Sequence, residues 1–539
     1  MKPFLTIIFF ILLINFSSNA QDTKRSLLYK FVADKQQQGV SFSNEAVFDN
    51  TRSEYVSRSS IVSDYTILSL NKQAINDIAS KKPSGMKVAI PLAENQTYTL
   101  VLAAEQINSS GDFSFGTIAN NINTRTSADQ GLHYRGYIAG DSNSLACLSF
   151  FKNGEVIGVF ANKDGNFVIG KMKDSSARYV VYKSSDMVIQ PRYKCATSEV
   201  VSPSPPFADR NVAVGTIAEA PPVLCKKVRF YWEADYRLYN YNFGADITKV
   251  QNYLTGLFNV VATLYQNEGI IIELSKTFVW TSADPYANAN SNQGLNSFKA
   301  RWNSLGNNYE GDLAHLIAGG TTNNGGVAFI LNFDQCNRPY TYGYSNVYAT
   351  FQSYPNYSWD AQVLTHETGH NLGSNHTHWC GWNTGPGNTC GAIDNCAALE
   401  QGGGCTTCAA TTDITALPAG FKGSVMSYCY LNNGIGVSFV NGFGPLPQAV
   451  IRNNVTAATC LTSRNMWTGS VSTAWENTGN WSCGSLPDAN TDVLINAGLT
   501  NYPVINSTTA TCKSLKEAAG ASIRVNNNFR LTITGKPVN

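Results

Sequence analysis

Between residue 21 and about residue 200, apolar and polar residues alternate in short runs, the period-two pattern of strands that bury one face. The runs are separated by Asn-Gly and Asp-Gly pairs, which favour tight hairpin turns. The clearest runs cover residues 98–102, 145–151 and 156–160, and the turn pairs stand at 153–154 and 164–165. The pattern predicts a β-rich unit over residues 21–196.

A helical period follows Cys225. Asp246 is suited to cap a helix, because the apolar residues after it recur every three or four positions: Ile247, Val250, Leu254, Leu257, Phe258, Val261 and Tyr265. Strand-like runs precede and follow this helix at 228–232 and 270–274, and a further helix is predicted over 295–305. Strands that alternate with helices indicate an α/β layer, which we expect to span residues 225–463.

Two stretches depart from both patterns. Residues 197–224 are rich in proline and predict a stiff linker that proteases can reach. Residues 464–539 hold short β runs between Asn, Gly and Pro turns, at 493–495, 523–525 and 531–533. They predict a small all-β module, expected to be incomplete because the chain stops at Asn539 without an anchor or a tail. The predicted architecture is therefore multidomain.

Length and charge narrow the classes of protein. The chain has 539 residues, enough for roughly three or four units, and a formal net charge of +2, which does not favour nucleic acid or an anionic membrane as partner. Residues 1–20 have the form of a signal peptide, because Lys2 precedes an apolar run at 4–16 and small residues at 18–20 suit cleavage. That run is shorter than the about 20 residues that span a bilayer, and no later segment qualifies. The sequence predicts a secreted, extracellular protein without a transmembrane segment.

The chain has 13 cysteines. Behind a signal peptide most should form disulfides, and the odd count leaves at least one over. One group crowds between residues 380 and 429, where a Cys-x-x-Cys pair at 405–408 makes a structural zinc site the alternative to disulfides. Its members are Cys380, Cys390, Cys396, Cys405, Cys408 and Cys429, and Cys336 and Cys460 are further candidates for disulfides.

The strongest chemical signal is the run His-Glu-Thr-Gly-His at 366–370. Residues 359–372 are predicted to form a helix, and a spacing of four places His366 and His370 on one face, where they can share one Zn²⁺. Gly373 can adopt the left-handed conformation that ends a helix, after which the chain can return His376 as a third ligand. Three protein ligands leave a fourth position for water, as in catalytic zinc sites, and Glu367 stands where it can act as base on that water.

Two further histidines bear on the choice of ligands. His378 is a second candidate for the third ligand, although the spacing from Gly373 favours His376. His315 lies in an apolar run at 313–317 and is predicted to be a buried core histidine.

The pattern H-E-x-x-H-x-x-G-x-x-H over residues 366–376 resembles the zinc motif of the metzincin metalloproteases. Met426, within Ser-Val-Met-Ser-Tyr at 424–428, is similar to the methionine of the tight turn beneath the metal in that clan. Within the clan, residues 225 to about 460 most resemble the reprolysin (adamalysin) family, in the helix at 366–373 and in a cleft-edge strand at 326–330 that pairs with extended substrates. The preceding unit resembles the reprolysin propeptide, chiefly over 134–158.

The resemblance implies a secreted zinc metalloendopeptidase, made as a latent precursor, that hydrolyses internal bonds of proteins or peptides. It implies an α/β (α+β) metzincin-like catalytic domain after a β-rich prodomain. One catalytic Zn²⁺ would acidify a water, whose proton Glu367 would accept and pass to the leaving amine. Tyr428 stands two residues after the methionine, as does a tyrosine of astacins and serralysins. In those families the tyrosine is a switchable fifth ligand of the metal and a hydrogen-bond donor to the transition state. The alternative for Tyr428 is a packed structural tyrosine. Thr377 departs from the Asp that adamalysins usually carry there.

Cys195 precedes the predicted linker. Reprolysin propeptides carry a cysteine whose thiolate occupies the open zinc position and keeps the enzyme latent, and Cys195 is the candidate for that role. The alternative is a disulfide with Cys147. A non-catalytic adhesin with a decayed protease fold is the competing function, and the intact histidines and Glu367 argue against it. The C-terminal module is expected to bind matrix or glycan or to act as a spacer, and no calcium site can be read from the sequence.

Overall fold

The structure is a computed structural model of the chain. The described residues are 25–93, 96–109, 111–127, 129–174, 176, 178–189, 195–197, 222–287, 289–320, 325–331, 336–384, 391–400, 417, 419–432 and 434–535. The predicted signal peptide, most of the predicted linker and Cys390, Cys405 and Cys408 lie outside them. Within these ranges, none of the helices combines the length and the apolar character needed to cross a bilayer.

The helices are fixed by caps and by burial. Among the described residues they are α1 (Leu27–Gln37), α2 (Lys72–Lys81), α3 (Ile247–Asn267), α4 (Ser291–Ser304), α5 (Tyr357–Asn371) and α6 (Pro445–Ala457). The predicted cap of α3 is confirmed, because the Asp246 carboxylate accepts the backbone N–H of Lys249 at 3.1 Å. Helix α4 begins earlier than predicted, because Asn290 caps it through the N–H of Gln293. Helices α1, α2 and α6 were not predicted.

Ten of the described strands form one large, mostly antiparallel sheet in the order β1-β4-β5-β8-β9-β10-β11-β12-β3-β2. These strands are β1 (Ser43–Glu45), β2 (Glu54–Ser57), β3 (Asp64–Leu68), β4 (Gly85–Ala93), β5 (Gln96–Glu105), β8 (Leu132–Ile138), β9 (Asp141–Phe150), β10 (Val156–Asn162), β11 (Gly165–Lys171) and β12 (Tyr179–Lys183). The predicted runs at 98–102, 145–151 and 156–160 fall on β5, β9 and β10. The predicted turns join β9 to β10 and β10 to β11, and both pairs are antiparallel.

A second sheet has the order β16-β17-β15-β13-β14-β6-β7. Its strands are β6 (Ser114–Ala119), β7 (Ile122–Thr126), β13 (Lys227–Ala234), β14 (Ile271–Trp280), β15 (Leu313–Gly319), β16 (Gly326–Ala328) and β17 (Tyr342–Val347). The predicted runs at 228–232 and 270–274 lie on β13 and at the start of β14, which pair in parallel. Strand β16 runs antiparallel at one edge. The β6–β7 hairpin at the other edge was not predicted there, because by sequence it belongs to the first unit.

Helix α3 lies between the two sheets. Every residue from Val250 to Tyr265 is buried, so the helix has no solvent face along that length. It packs on β14 on one side and on β9 and β10 on the other. Gly256 lies so close to Ile157 of β10 that an added Cβ would come within 2.8 Å of that side chain. One apolar core therefore continues from the second sheet through α3 into the first.

The remaining strands are short. They are β18 (Thr350–Phe351), β19 (Tyr354–Pro355), β20 (Ser463–Trp467), β21 (Thr491–Ile495), β22 (Val504–Ile505), β23 (Thr511–Cys512), β24 (Ser514–Glu517), β25 (Arg524–Val525) and β26 (Thr532–Ile533). From β20 onward the named strands pair in parallel, as β20-β21-β24, β22-β25 and β23-β26. Their core holds Trp467, Trp475 and Trp481.

A buried ion-pair cluster joins these last strands to the second sheet. The Nζ of Lys227 in β13 lies 2.7 Å from a carboxylate oxygen of Glu273 in β14 and 2.7 Å from one of Asp492 in β21, and its side chain has no exposed surface. The disulfide between Cys225 and Cys483 ties the same parts covalently. Residues 463–535 are thus anchored by a charge cluster and a covalent bond.

Replacing Lys227 by Met should destabilise the protein by about 3–5 kcal/mol, because it removes a buried cation from between two buried carboxylates. The shift of the urea denaturation midpoint, followed by tryptophan fluorescence, measures the change. Lys249→Met is the control, since the exposed pair of Lys249 with Asp246 should contribute at most about 1 kcal/mol. Equal losses in the two variants would contradict the role of the buried cluster.

The prediction that most cysteines form disulfides is confirmed for the cysteines that the structure describes. Bonds join Cys225 to Cys483, Cys336 to Cys460 and Cys396 to Cys429, and Cys380 is also disulfide-bonded. The alternative disulfide between Cys147 and Cys195 is wrong. Both are free thiols, because Cys147 is buried in the large sheet against the carbonyl of Val159, whereas Cys195 lies beside the histidines described next. The alternative zinc site at 405–408 lies outside the described residues.

Candidate metal centre

Helix α5 and the turn after it bring three histidines together. The Nε2 atoms of His366 and His370, one helical turn apart, are separated by 3.2 Å. Gly373 has φ +101°, which favours glycine, and an added Cβ would collide with the amide of Asn454. The chain therefore turns back and places the Nε2 of His376 3.0 Å from that of His370 and 3.2 Å from that of His366.

The outer nitrogens of these rings have fixed partners. The Nδ1 of His366 donates to the carbonyl of Val425 at 2.8 Å, and that of His370 donates to the carbonyl of Ser374 at 2.7 Å. A carbonyl only accepts, so each Nδ1 carries a proton and each neutral ring presents the lone pair of its Nε2. Burial lowers the pKa of all three side chains, that of His366 to about 3, and keeps the rings neutral.

The Nδ1 of His376 lies 2.9 Å from both carboxylate oxygens of Glu400, which can only accept from it. Three lone pairs therefore converge on one buried point. Neutral imidazoles so close together repel unless a cation lies between them, which makes the trio suited to hold a metal.

Cys195 belongs to the same cluster. Its Sγ and the three Nε2 atoms all lie within 4.8 Å of one another, and Sγ is 3.6 Å from the Nε2 of His370. The next residue, Ala196, donates its N–H to the carbonyl of Gly326 at the start of β16 at 3.0 Å. The structure thus brings the predicted cysteine to the histidines by laying residues 195–197 beside the edge strand.

Glu367 lies on α5 next to the trio, fully buried. Its Oε2 accepts from the thiol of Cys195 and from the hydroxyl of Thr197, each at 3.3 Å, whereas Oε1 has no hydrogen-bond partner among the described residues. Burial raises the pKa of Glu367 to about 8, because the charged carboxylate is poorly solvated there. Gly326 touches this side chain so closely that a Cβ there would overlap Oε1.

Met426 and Tyr428 lie around the trio. The sulfur of Met426 packs against Gly369, where an added Cβ would come within 2.6 Å of it. The hydroxyl of Tyr428 donates to the carbonyl of Cys195 at 2.7 Å, and its ring packs against that of His376 with centroids 4.7 Å apart. Tyr428 therefore binds a peptide carbonyl beside the cluster.

His378 and His315, the two other histidines considered from the sequence, do not belong to the converging trio. His378 stacks on His376 and its Nε2 lies 3.3 Å from Glu400. His315 is a core histidine in β15, as predicted, with Nε2 2.8 Å from the hydroxyl of Ser345. The sequence does not predict Glu400 or Thr197, because neither stands in a motif with the histidines and each reaches the site from a segment distant in sequence.

Thr377 stands where an acidic residue was expected from the family pattern. Its N–H donates to the carbonyl of Met426 at 3.2 Å, and its hydroxyl lies 3.5 Å from the same oxygen. Thr377 thus ties the end of the histidine turn to the methionine turn.

Comparison with known proteins gives a family match for part of the chain. Residues 225–419 match the family model Reprolysin_5, described as Metallo-peptidase family M12, and residues 466–538 match a Domain of unknown function (DUF8693). No curated protein matches the chain. A matching solved structure is that of metalloproteinase-II from Bacteroides fragilis, at 12% identity over 65% of this chain and 92% of that one, with a TM-score of 0.32.

Proposed function

We propose that this chain, a metallopeptidase of family M12 over residues 225–419, is a secreted zinc-dependent endopeptidase made as a latent precursor. One observation carries the proposal: three buried imidazole lone pairs converge on a point beside the buried carboxylate of Glu367. A non-catalytic adhesin with a decayed protease fold would have no need to keep all three histidines and Glu367.

His366, His370 and His376 would hold the metal. Zn²⁺ is proposed because three neutral imidazoles with a further open position are the donor set of catalytic zinc sites. When bound, it supplies a Lewis acid that polarises a carbonyl and acidifies a water. His378 is not proposed as a ligand, since its ring stacks outside the trio.

Glu367 would accept the proton of the attacking water and then deliver it to the leaving amine. Its Oε1 has no partner among the described residues, and Oε2 becomes available once Cys195 and Thr197 leave. Tyr428, whose hydroxyl now donates to a peptide carbonyl, would donate in the same way to the carbonyl oxygen of the substrate as negative charge develops on it.

The substrate is proposed to be an extended peptide. Residues 195–197 lie along β16, with the N–H of Ala196 donated to Gly326 at 3.0 Å and the N–H of Ala328 donated to the hydroxyl of Thr197 at 3.1 Å. A substrate strand added to this edge would find the same backbone groups. Binding of the substrate through its backbone groups is suited to cleavage of internal bonds in proteins or peptides.

Latency is proposed to rest on the same segment. The Cys195 thiol would fill the open metal position, and the Thr197 hydroxyl would hold the carboxylate of Glu367 through a hydrogen bond. Residues 21–196 would then act as a propeptide, residues 197–224 as its linker and residues 225–463 as the catalytic domain. Secretion is supported by the form of residues 1–20 and by the disulfides. Binding of matrix or glycan by residues 464–539 stays a prediction.

The test uses the chain from residue 21 with Cys195→Ala, so that latency does not mask activity. Incubated with a denatured protein, it should produce internal cleavages that stop with a chelator and return with Zn²⁺. The same preparation with Glu367→Gln is the control. Cleavage that continues after the metal has been stripped would refute the proposed function.

Glu400→Gln should weaken metal binding by about 10–100-fold. Glu400 holds His376 by its Nδ1, and an amide oxygen is a weaker acceptor than a carboxylate, so the ring is less firmly oriented. Competition with a chromophoric chelator measures the affinity without an activity assay. Glu517→Gln, at an exposed position in β24, is the control, and an affinity equal to that of the control would contradict this role of Glu400.

A further inference from the structure

The N-terminal unit, defined here as residues 25–189, takes part in the sheet that carries the site. Its strand β6 pairs in parallel with β14, from Ser114 opposite Lys276 to Ile118 opposite Trp280. The hairpin partner β7 then forms the outer edge. Without the hairpin, β14 would be an edge strand with unpaired backbone groups, which proteins usually protect.

Helix α3 is the second contact between the N-terminal unit and the rest of the chain. Gly256 admits Ile157 of β10 against the helix backbone, and the side of α3 that meets the large sheet is as buried as the side that meets β14. Asn259, on that side, accepts from the buried Nε of Arg135 at 2.8 Å and donates to the hydroxyl of Ser149 at 3.1 Å. Removing the N-terminal unit would expose an apolar face of α3. It would also remove the side chains of that unit with which Asn259 forms hydrogen bonds.

Further hydrogen bonds cross the same boundary at distant points. The side chain of Asn166 in β11 donates to the carbonyl of Val437 and accepts from the N–H of Phe439, both at 2.9 Å. The hydroxyl of Tyr182 in β12 donates to the carbonyl of Pro355 at 2.6 Å. Contacts across the boundary therefore extend from β6 in the second sheet to β11 and β12 in the large sheet.

None of this association depends on a covalent bond across the predicted linker. Among the cysteines of the whole sequence, only Cys147 and Cys195 precede residue 200, and both are free thiols. Scission of the chain between residues 198 and 221 would leave only non-covalent contacts between the two pieces.

We propose that these contacts suffice, and that the N-terminal unit stays bound as a non-covalent subunit when the linker is cut. Processing would then yield a two-chain protein in which the β6–β7 hairpin completes the second sheet, rather than a released propeptide. The inference depends on packing alone and holds whether or not the proposed zinc chemistry is correct.

The experiment replaces residues 208–213 by the recognition sequence of a site-specific protease in the chain from residue 21. After complete cutting, confirmed on a denaturing gel, the protein is run on size exclusion under native conditions. Both fragments should elute together at the volume of the uncut protein. Separate elution of the N-terminal fragment would overturn the proposal.

A wedge variant tests whether the assigned surface holds the pieces together. Gly256→Leu favours the helix but drives a side chain into Ile157, so the cut variant should dissociate with a Kd at least about tenfold higher than the cut parent. Ile122→Ser, at a position in β7 that is 68% exposed, is the control and should not change the Kd. Should uncut Gly256→Leu fail to give the circular dichroism of the parent, Asn166→Ala replaces it, because it removes two bonds across the boundary and adds no bulk. An unchanged Kd in the folded variant would overturn the assignment of this surface.

Discussion

The Glu367→Gln variant is expected to keep its metal and to lose turnover by a factor of about 10²–10⁴. Glu367 is not one of the three converging side chains, so its replacement leaves the metal donors in place. Glutamine has nearly the same shape and keeps the packing against Gly326, but its amide cannot take up a proton from water and return it to an amine. The change therefore separates proton transfer from metal binding and from folding.

Two measurements on one preparation decide this. Metal content is read by elemental analysis, and turnover is followed on a denatured protein in the Cys195→Ala background. Glu155→Gln is the control, because Glu155 is a partly buried glutamate in a different part of the molecule, where it accepts from the amide of Asn252 at 2.8 Å. A metal-loaded Glu367→Gln that keeps activity within tenfold of the control would remove Glu367 from its proposed role.

The parts of this site that the sequence predicts are those that local rules determine. Two histidines four residues apart on a helix must share a face, and a glycine at 373 allows the left-handed turn that returns His376. The cap at Asp246 and the alternation along β5, β9 and β10 depend on neighbours only a few residues away. The choice of His376 over His378 also follows from local spacing, and the structure brings His376 into the trio.

The parts that the sequence does not predict depend on contacts between distant segments. Glu400 reaches His376 through a loop that has no regular pattern, and Thr197 reaches Glu367 across 170 positions. The β6–β7 hairpin belongs by sequence to the first unit, and nothing in its own residues indicates that it pairs with β14 instead of with the large sheet. Choosing between two sheets requires knowing the surfaces of both, which periodicity alone does not give.

One of these distant contacts bears on regulation. Residues 195–197 contact the site through, among others, a thiol near the histidines, a hydroxyl on Glu367, a carbonyl that accepts from Tyr428 and an N–H that donates to Gly326. Burial, and next the nearby Glu367 carboxylate, raise the pKa of the Cys195 thiol. A thiolate in that position needs a cation beside it, so the thiol and a bound metal would stabilise each other.

Cys195→Ala should therefore raise the activity of the uncut chain by about tenfold or more, the factor that corresponds to losing about 1.4 kcal/mol of inhibitory binding. Alanine keeps the backbone contacts of residues 195–197 but offers nothing to the open metal position. Activity towards a short peptide, assayed before any cut in the linker, measures the effect. Thr197→Val, which removes only the hydroxyl that bonds Glu367, should give a smaller increase, and the double variant the largest.

Cys512→Ala is the control for this prediction, since Cys512 is also a free buried thiol but lies in the core of the C-terminal strands. It should leave latency unchanged. Thiol labelling gives an independent check, because a reagent that modifies Cys195 should activate the wild-type chain and leave Cys195→Ala unaffected. If Cys195 is modified without a gain in activity, or if Cys195→Ala stays as latent as the wild type, the thiol does not hold the enzyme inactive. The backbone contacts of residues 195–197 along β16 would then have to account for latency, since they remain in both cases.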